Sequence, residues 1–313
     1  WPEPGTETFL DRCDLRPGGS AANTALALQR LEHPAGLISA IGSDPLADIL
    51  AARFSGRLDR IRRLDGQTGI SFGVLHDGAE RTFLSFGGHL AALDLAMVEA
   101  LLEGWPLEDA LVLVAGGFAT PGLAAEGEAL LTCLRRAGAG IAIDPGWPDG
   151  GWTPATRAQV MGWAALSDHL LLNDKELTAL AARTEDDLAA AARSLSDGLP
   201  ERCHIIAKRG PRGASCWQGS RVFHASAPPT APFDTVGAGD AFNAGYLAAI
   251  AEGAAPEAAL GRGCATASRL IAEFRQQYRP IAIDHVGCGL SDKPAQYGYC
   301  LADRIDDLPD FIE

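Results

Sequence analysis

A regular alternation of short apolar runs with helical stretches, from about residue 93 onward, most constrains how this chain can fold. Such alternation predicts an α/β fold, a doubly wound, mostly parallel sheet with helices on both faces. Ligands of these sheets bind beyond the carboxyl ends of the strands, where Asp144 and Asn173 are expected. The runs that we assign to strands are Leu111–Ala115, Ile141–Asp144, His169–Leu172 and Cys203–Lys208.

The segment before this alternation predicts a smaller sheet that stands apart from the main fold. Two β-prone runs, Gly69–Leu75 and Arg81–Phe86, are joined by His76-Asp77-Gly78-Ala79, a sequence typical of a hairpin turn. Thr8–Leu15 is a candidate third strand. The other predicted elements are a helix capped by Ser20 and running to about Leu31, a strand Leu37–Ile41 and a helix Pro45–Phe54.

Composition argues against several classes of protein. The net charge of −14, with no basic block, disfavours a nucleic-acid partner. The seven cysteines include no C-x-x-C pair, which indicates reduced thiols in a cytoplasmic protein. No apolar run approaches the ~18 residues that span a bilayer. The first residues lack the pattern of a signal peptide, and we therefore expect no membrane association.

The string from Asp234 to Phe242, D-T-V-G-A-G-D-A-F, carries the most chemical information. The amides of Gly237, Ala238 and Gly239 would lie at the positive end of the helix that follows, where an anion is stabilised. Asp240 would place a carboxylate beside that anion, which is costly unless the carboxylate accepts a proton from an attacking hydroxyl. The alternative is an ordinary glycine-rich turn in which Asp240 only caps the helix.

This string and Gly18-Gly19-Ser20-Ala21-Ala22-Asn23-Thr24-Ala25 resemble the two signatures of the ribokinase-like, phosphofructokinase-B-type carbohydrate kinases. The resemblance covers about residues 4–271. It implies that Asp240 is the catalytic base and that the amides of residues 237–239 stabilise the transferred phosphoryl group. It also places Gly18, Gly19 and Asn23 at the sugar site. The segments 8–15 and 69–86 would form a small β lid that excludes water.

Further residues acquire roles from the same resemblance. Asn173 and Glu176 alone suggest an N-cap with a capping-box glutamate. They are also similar to the family's N-x-x-E element, which organises Mg²⁺ and phosphates through water. Asp144 is similar to a family position near the active cleft, but the following Pro145-Gly146-Trp147 departs from the commoner polar pattern.

The resemblance also indicates which residues contact the nucleotide. Lys208–Gly213 is similar to a K-x-G-x-x-G segment of the family that lies near the nucleotide. Cys264 stands where many relatives have an asparagine near the adenine, and a thiol cannot replace the hydrogen bonds of an amide. The resulting nucleotide-binding candidates are Asn173, Lys208, Gly210, Gly213 and Cys264.

Two departures from the family shape the expected domain organisation. The family's first strand, with an acidic residue that binds the substrate's hydroxyls, has no counterpart here, so we expect a kinase domain over residues 1–271 that lacks it. From about residue 273 the chain resembles an early strand and loop of an α/β-hydrolase, D-H-x-G-x-G-x-S. Residues 272–313 are therefore expected to be a foreign tail. Because G-x-S-x-G is absent from the sequence, Ser291 and His285 are not expected to be a catalytic pair.

The combined interpretation is a kinase that transfers the γ-phosphoryl group of ATP to a hydroxyl of a sugar or sugar acid. Its cofactors would be ATP and Mg²⁺, with a monovalent cation such as K⁺ as a further candidate. Ribose, fructose, 2-keto-3-deoxygluconate and nucleosides remain open as acceptors. A catalytically inactive nucleotide-binding remnant is the alternative, and a hydrolase is a third. The resemblance also suggests a homodimer formed through the lid.

Overall fold

The computed structural model of the chain describes residues 4–7, 9, 15–75, 81–184, 187–230 and 235–277. The chain divides into two compact units, residues 1–274 and 275–313. No helix in the described ranges is long and apolar enough to cross a bilayer. The helices are α1 Ser20–Arg30, α2 Pro45–Ala51, α3 Leu95–Leu102, α4 Pro121–Ala125, α5 Gly127–Arg136, α6 Pro154–Ala165, α7 Asp174–Leu180, α8 Leu188–Ser196, α9 Ala238–Ala251 and α10 Pro256–Gln277. The strands are β1 Ile38–Ile41, β2 Arg60–Arg63, β3 Ile70–Leu75, β4 Arg81–Phe86, β5 Leu111–Ala115, β6 Gly140–Asp144, β7 His169–Asn173, β8 His204–Lys208, β9 Ala214–Gln218 and β10 Arg221–Ala225.

Six of the described strands form the central sheet, in the order β10-β9-β8-β7-β6-β5. The four strands β5 to β8 run parallel, and β9 and β10 add an antiparallel edge. The four apolar runs assigned from the sequence coincide with β5 to β8 to within a residue at either end, so the predicted α/β fold is confirmed. The carboxyl ends of the parallel strands carry Asp144, Asn173 and Lys208 at one edge of the sheet.

Alternate side chains of each central strand pack into two different cores, which places helices on both faces of the sheet. Ile141, Ile143 and Leu170 join a core with side chains of α3 and α5 to α8. Ala142 and Leu171, from the same strands, join a second core with side chains of α9 and α10. The strands are apolar on both faces because both faces are covered.

The N-terminal part differs from the prediction in three details. Ser20 is the first residue of α1 rather than its cap, because Gly19, with φ +95°, occupies the cap position. The helix that begins at Pro45 ends at Ala51 and not at Phe54. The strand β2 was not predicted, since R-I-R-R has no strand-like alternation, and it becomes a strand by pairing in parallel with β1.

The strands β3 and β4 pair antiparallel as a separate two-stranded sheet, as predicted. Phe72, Leu84 and Phe86 on one face of this hairpin are at least half exposed. The predicted turn at 76–79 and most of the predicted strand Thr8–Leu15 lie outside the described residues. The tail from residue 278 onward, with its hydrolase-like string, lies outside them too, so its predicted origin stays a prediction.

Candidate active site

The helices α1 and α9 bring the two glycine-containing motifs together. α9 begins at Ala238, and Gly237 precedes it with φ +78°, a left-handed conformation that glycine adopts without strain. Asp240 lies in the first turn of α9, and its carboxylate accepts a hydrogen bond of 2.9 Å from the Asn23 amide of α1. Small side chains on both helices, including Ala27, Ala241 and Ala244, permit this close approach.

Asp240 is therefore held by side chains from a distant part of the chain and does not serve merely as a helix cap. The Ser20 hydroxyl also hydrogen bonds to its carboxylate. Burial raises the pKa of Asp240 above its ordinary value, while the hydrogen bonds from Asn23 and Ser20 oppose this shift. A carboxylate with a raised pKa is a stronger base, and its oxygens are held at fixed positions.

The second part of the site is a buried ion pair at the carboxyl ends of β6 and β8. The Lys208 ammonium donates to an Asp144 oxygen at 2.6 Å, and both side chains are almost fully buried. Asn243 of α9 donates its amide to the same Asp144 oxygen at 2.6 Å, and its own oxygen accepts from Lys208 at 3.3 Å. A Cβ added at Gly239 would lie 3.7 Å from the Lys208 ammonium. The ammonium thus lies against the first turn of α9, beside Asp240.

Lys208 is the positive centre of an otherwise acidic cluster. Burial by itself lowers the pKa of Lys208, but the nearby carboxylates Asp144 and Glu176 raise it above its ordinary value. The ammonium is consequently charged at neutral pH. A fixed positive charge next to a helix N-terminus stabilises a transferring phosphoryl group.

Asn173 and Glu176 form a complete capping box at the start of α7. The side-chain oxygen of Asn173 accepts a hydrogen bond of 2.8 Å from the backbone N–H of Glu176, and the Glu176 carboxylate accepts one of 2.8 Å from the backbone N–H of Asn173. Burial, followed by the Asp144 carboxylate, raises the pKa of Glu176 to about 7, and Lys208 opposes this shift. Their role toward Mg²⁺ stays a prediction.

The predicted glycines have different surroundings. Gly18 and Gly19 lie at the amino end of α1, next to the motif that contains Asn23. Gly210 begins the turn between β8 and β9, and Gly213 ends it. A Cβ at Gly213 would meet the Ala225 carbonyl oxygen at 2.0 Å, so this glycine is required for packing against β10. The nucleotide-binding role of this turn is untested.

Two residues predicted to bind ligands, Ala238 and Cys264, contact other parts of the chain in the structure. The Ala238 amide, one of the three expected to hold an anion, donates to the Thr235 carbonyl at 3.2 Å. Cys264 of α10 is buried in the core beneath α9, with its thiol 3.9 Å from the Ala225 carbonyl. Burial raises the pKa of this thiol to about 11, so it is protonated at neutral pH. Contact between Cys264 and an adenine stays a prediction.

The carboxylates of the cluster do not form a direct metal cage. No group of three or more metal-ligating side chains suited to a metal ion occurs among the described residues. Asp144 is engaged with Lys208, and Asp240 with Asn23. This donor set fits a Mg²⁺ ion that is held mainly by phosphate oxygens and water, the usual way in which Mg²⁺ binds at nucleotide sites.

Sequence reasoning did not identify Asn243 or the bond from Ser20 to Asp240. Asn243 is a fully buried polar residue in the apolar stretch A-F-N-A-G-Y. A buried amide needs hydrogen-bonding partners, and this position was the available signal. Its partner Asp144 is 99 residues away, which no local pattern reveals.

Comparisons with known proteins agree with the fold and the motifs. The pfkB family carbohydrate kinase pattern matches residues 10–280. A fructokinase from Salmonella typhimurium is 29% identical over 262 residues, which cover 81% of this chain and 82% of the relative. A 1-phosphofructokinase from Rhodobacter capsulatus is 30% identical, with coverage of 82% and 78%.

Solved structures show the same fold. The crystal structure of ribokinase from Thermotoga maritima superposes with a TM-score of 0.67 at 24% identity, covering 86% of both chains. The Arabidopsis thaliana ribokinase complexed with ribose and ATP gives a TM-score of 0.70 at 21% identity, covering 87% of this chain and 86% of that one. Since the family pattern spans most of its length, this chain belongs to the pfkB family of carbohydrate kinases.

Proposed function

We propose that this kinase transfers the γ-phosphoryl group of ATP to a hydroxyl of a small carbohydrate, with Asp240 as the general base. The acceptor oxygen attacks the γ-phosphorus and its proton passes to the Asp240 carboxylate. The bond between the γ-phosphorus and the bridging oxygen breaks, and ADP leaves. The observation that carries the proposal is the partly buried Asp240 carboxylate, held by Asn23 at 2.9 Å beside the Lys208 ammonium.

The order of the sheet supports a division of the site into two sides. Of the candidate nucleotide-binding residues, Asn173 is the last residue of β7, Lys208 is the last residue of β8, and the turn 210–213 follows β8. Of the candidate sugar-binding residues, Gly18 and Gly19 immediately precede α1 and Asn23 lies within it, and α1 contacts β5. ATP would therefore bind over the ends of β7 to β9, and the acceptor over the ends of β5 and β6. Asp240 would lie where the two sides meet, because it contacts Asn23 on one side and lies beside Lys208 on the other.

The electrostatic roles follow from this placement. Lys208 and the amides of Gly237, Ala238 and Gly239 would stabilise the charge that develops on the transferred group. Binding of phosphate would require the Ala238 amide to exchange its bond with Thr235 for one with the ligand. Mg²⁺ would be held through water by Glu176 and Asn173, and when bound it neutralises phosphate charge. A monovalent cation such as K⁺ is retained as a further candidate.

The exposed surface of the hairpin β3–β4 indicates how this kinase could associate. The hairpin β3–β4 is the proposed lid, and its exposed Phe72, Leu84 and Phe86 form an apolar surface suited to pairing with a second copy of the chain. We accordingly propose a homodimer through the lid, in the cytoplasm, with no nucleic-acid or membrane partner. Sedimentation of the Leu84→Asp variant as a monomer, against a wild-type dimer, would support this surface.

The test is acceptor-dependent release of ADP from Mg²⁺-ATP, measured with ribose, fructose, 2-keto-3-deoxygluconate and a nucleoside. Related proteins carry the names fructokinase, 1-phosphofructokinase and ATP-dependent ribose-1-phosphate kinase, so fructose and sugar phosphates belong in the panel. Asp240→Asn should lose at least about 100-fold in kcat. Asp187→Asn is the matched control, because asparagine also serves as an N-cap at the start of α8. If folded wild-type protein binds ATP but turns over no acceptor, the chain is the inactive remnant.

A further inference from the structure

Four aromatic side chains from α6 and from the loops that follow β5 and β6 form a continuous cluster. Phe118 lies 5.4 Å from Trp163 between ring centroids, and 6.5 Å from Trp152 in an edge-to-face arrangement. Trp152 in turn makes an edge-to-face contact with Trp147 at 6.0 Å. Such contacts fix the orientation of each ring relative to the next. Trp147 therefore packs on Trp152, and through it on the rest of the cluster.

Trp147 is the exposed end of this cluster. It is 56% exposed, whereas Trp163 at the other end is buried. Trp147 therefore presents an aromatic face to solvent while its ring packs edge-to-face against Trp152. An indole face binds the apolar face of a ring, and it does so at a low cost in conformational entropy when its orientation is already fixed.

The cluster lies on the side of the site that we assign to the acceptor. Trp147 follows Asp144 by three residues, in the loop after β6. The Gly116 amide donates to the Asp144 carbonyl at 2.9 Å, and a Cβ at Gly116 would lie 3.8 Å from the Ser20 hydroxyl that hydrogen bonds to Asp240. Phe118 follows Gly116 by two residues. These contacts and short sequence separations connect the aromatic cluster, through the ends of β5 and β6, to the proposed base.

We propose that Trp147 is a specificity-determining residue that stacks on the ring of the acceptor, so that the substrate is a closed-ring carbohydrate. This inference rests on the proposed function, because it takes the acceptor side from that assignment. Trp147 makes no contact that changes during phosphoryl transfer. It contributes the same binding energy to the ground state and the transition state, and therefore acts on KM and not on kcat.

The first experiment compares wild type with Trp147→Ala on the best acceptor and on its reduced alditol, which has the same carbon chain but no ring, the ring oxygen having become one further hydroxyl. KM for the ring sugar should rise about tenfold, as expected from losing roughly 50–60 Å² of apolar contact. The values of kcat and of KM for ATP should stay within twofold. Preference for the ring over the alditol should fall by the same factor. Trp147→Phe, which keeps an aromatic face, should recover most of the loss.

The second experiment needs no turnover. Ring sugars added without ATP should change the tryptophan fluorescence of wild type, and Trp147→Phe should abolish the change. Trp105→Phe should retain it, since Trp105 donates to the Leu58 carbonyl at a separate place. Unchanged KM and ring preference in Trp147→Ala, or a fluorescence change that survives Trp147→Phe, overturns the proposal. Absence of any turnover by wild type would count against the proposed function, while the titration still decides the role of Trp147.

Discussion

Removing the Lys208 ammonium should destabilise this protein far more than removing an equally close cation at the surface. Lys208 and Asp144 are 2.6 Å apart and almost fully buried. Arg212 and Asp174 are 2.5 Å apart, but the Arg212 side chain is 66% exposed. The two ion pairs have nearly the same geometry and differ mainly in burial, so Arg212→Met is a matched control for Lys208→Met.

The loss of stability in each variant depends on how well the remaining carboxylate is solvated. At 2.6 Å, Coulomb's law with an effective dielectric constant of ~20 gives about 6 kcal/mol of attraction between Lys208 and Asp144. Part of this offsets the cost of burying both groups. Loss of one partner leaves a buried, unpaired carboxylate, for which we expect a loss of about 3–5 kcal/mol in the free energy of unfolding. Arg212→Met should cost at most about 1 kcal/mol, because water replaces the lost partner of Asp174.

Urea unfolding at pH 7 measures both losses. The double variant Asp144→Asn with Lys208→Met should lose less than the sum of the single variants, because neither charge is then left alone. The Lys208→Met loss should also be smaller at pH 5, where Glu176 is protonated. A Lys208→Met loss no larger than that of Arg212→Met would refute the reasoning that the pair is buried and mutually required.

Three further predictions concern pH and the base. The folded-state pKa of Glu176 is raised from 4.5 to about 7, so folding favours its protonated form and its carboxylate makes the protein less stable as pH rises through this window. The free energy of unfolding of Glu176→Gln, measured in urea, should therefore rise by roughly 3 kcal/mol relative to that of wild type between pH 4.5 and 7. A difference between the two proteins that stays constant with pH would contradict this. Burial, followed by His204, lowers the pKa of His169 from 6.5 to about 4. The stability that neutral His169 contributes is therefore complete above pH 6.5 and is lost as pH falls toward 4. His169→Gln should remove that acid sensitivity, up to roughly 3 kcal/mol, whereas an unchanged pH profile would show that His169 is not buried in its neutral form. Asn23→Ala removes a hydrogen bond worth ~1.5–3 kcal/mol to the ionised Asp240, so kcat/KM at pH 6 should fall about tenfold. The acidic limb of the pH profile of kcat/KM should also move to higher pH. An acidic limb at the wild-type position would argue against Asp240 as the base.

The sheet could be predicted from the sequence because its information is local. Each of β5 to β8 is a short apolar run, and burial on both faces makes such runs continuous. β2 could not be predicted, because R-I-R-R becomes a strand only through its pairing with β1. Likewise serine is a residue type typical of a helix N-cap, yet Gly19, with its positive φ, occupies the N-cap position of α1. The Ser20 hydroxyl hydrogen bonds to Asp240 instead.

The candidate site shows the same division between local and distant information. Asp240, Asn23 and Lys208 were identified through strings of residues with recognisable spacing. The trio of Asp144, Lys208 and Asn243 joins three segments that are far apart in sequence, and only the fold brings them within hydrogen-bonding distance. The aromatic cluster around Trp147 likewise depends on the fold, since its four rings come from α6 and from the segments that follow β5 and β6.

Whether Asp240 is the base of a kinase reaction is best decided by transfer of label from [γ-³²P]ATP to an acceptor, followed in a single turnover with wild type and Asp240→Asn. ATP binding is measured on both proteins. We expect a labelled sugar with wild type, at least about 100-fold slower label transfer with Asp240→Asn, and equal ATP affinity for the two proteins. Label transferred at the same rate by both proteins would contradict Asp240 as the base, and label appearing only as inorganic phosphate would contradict the kinase reaction itself.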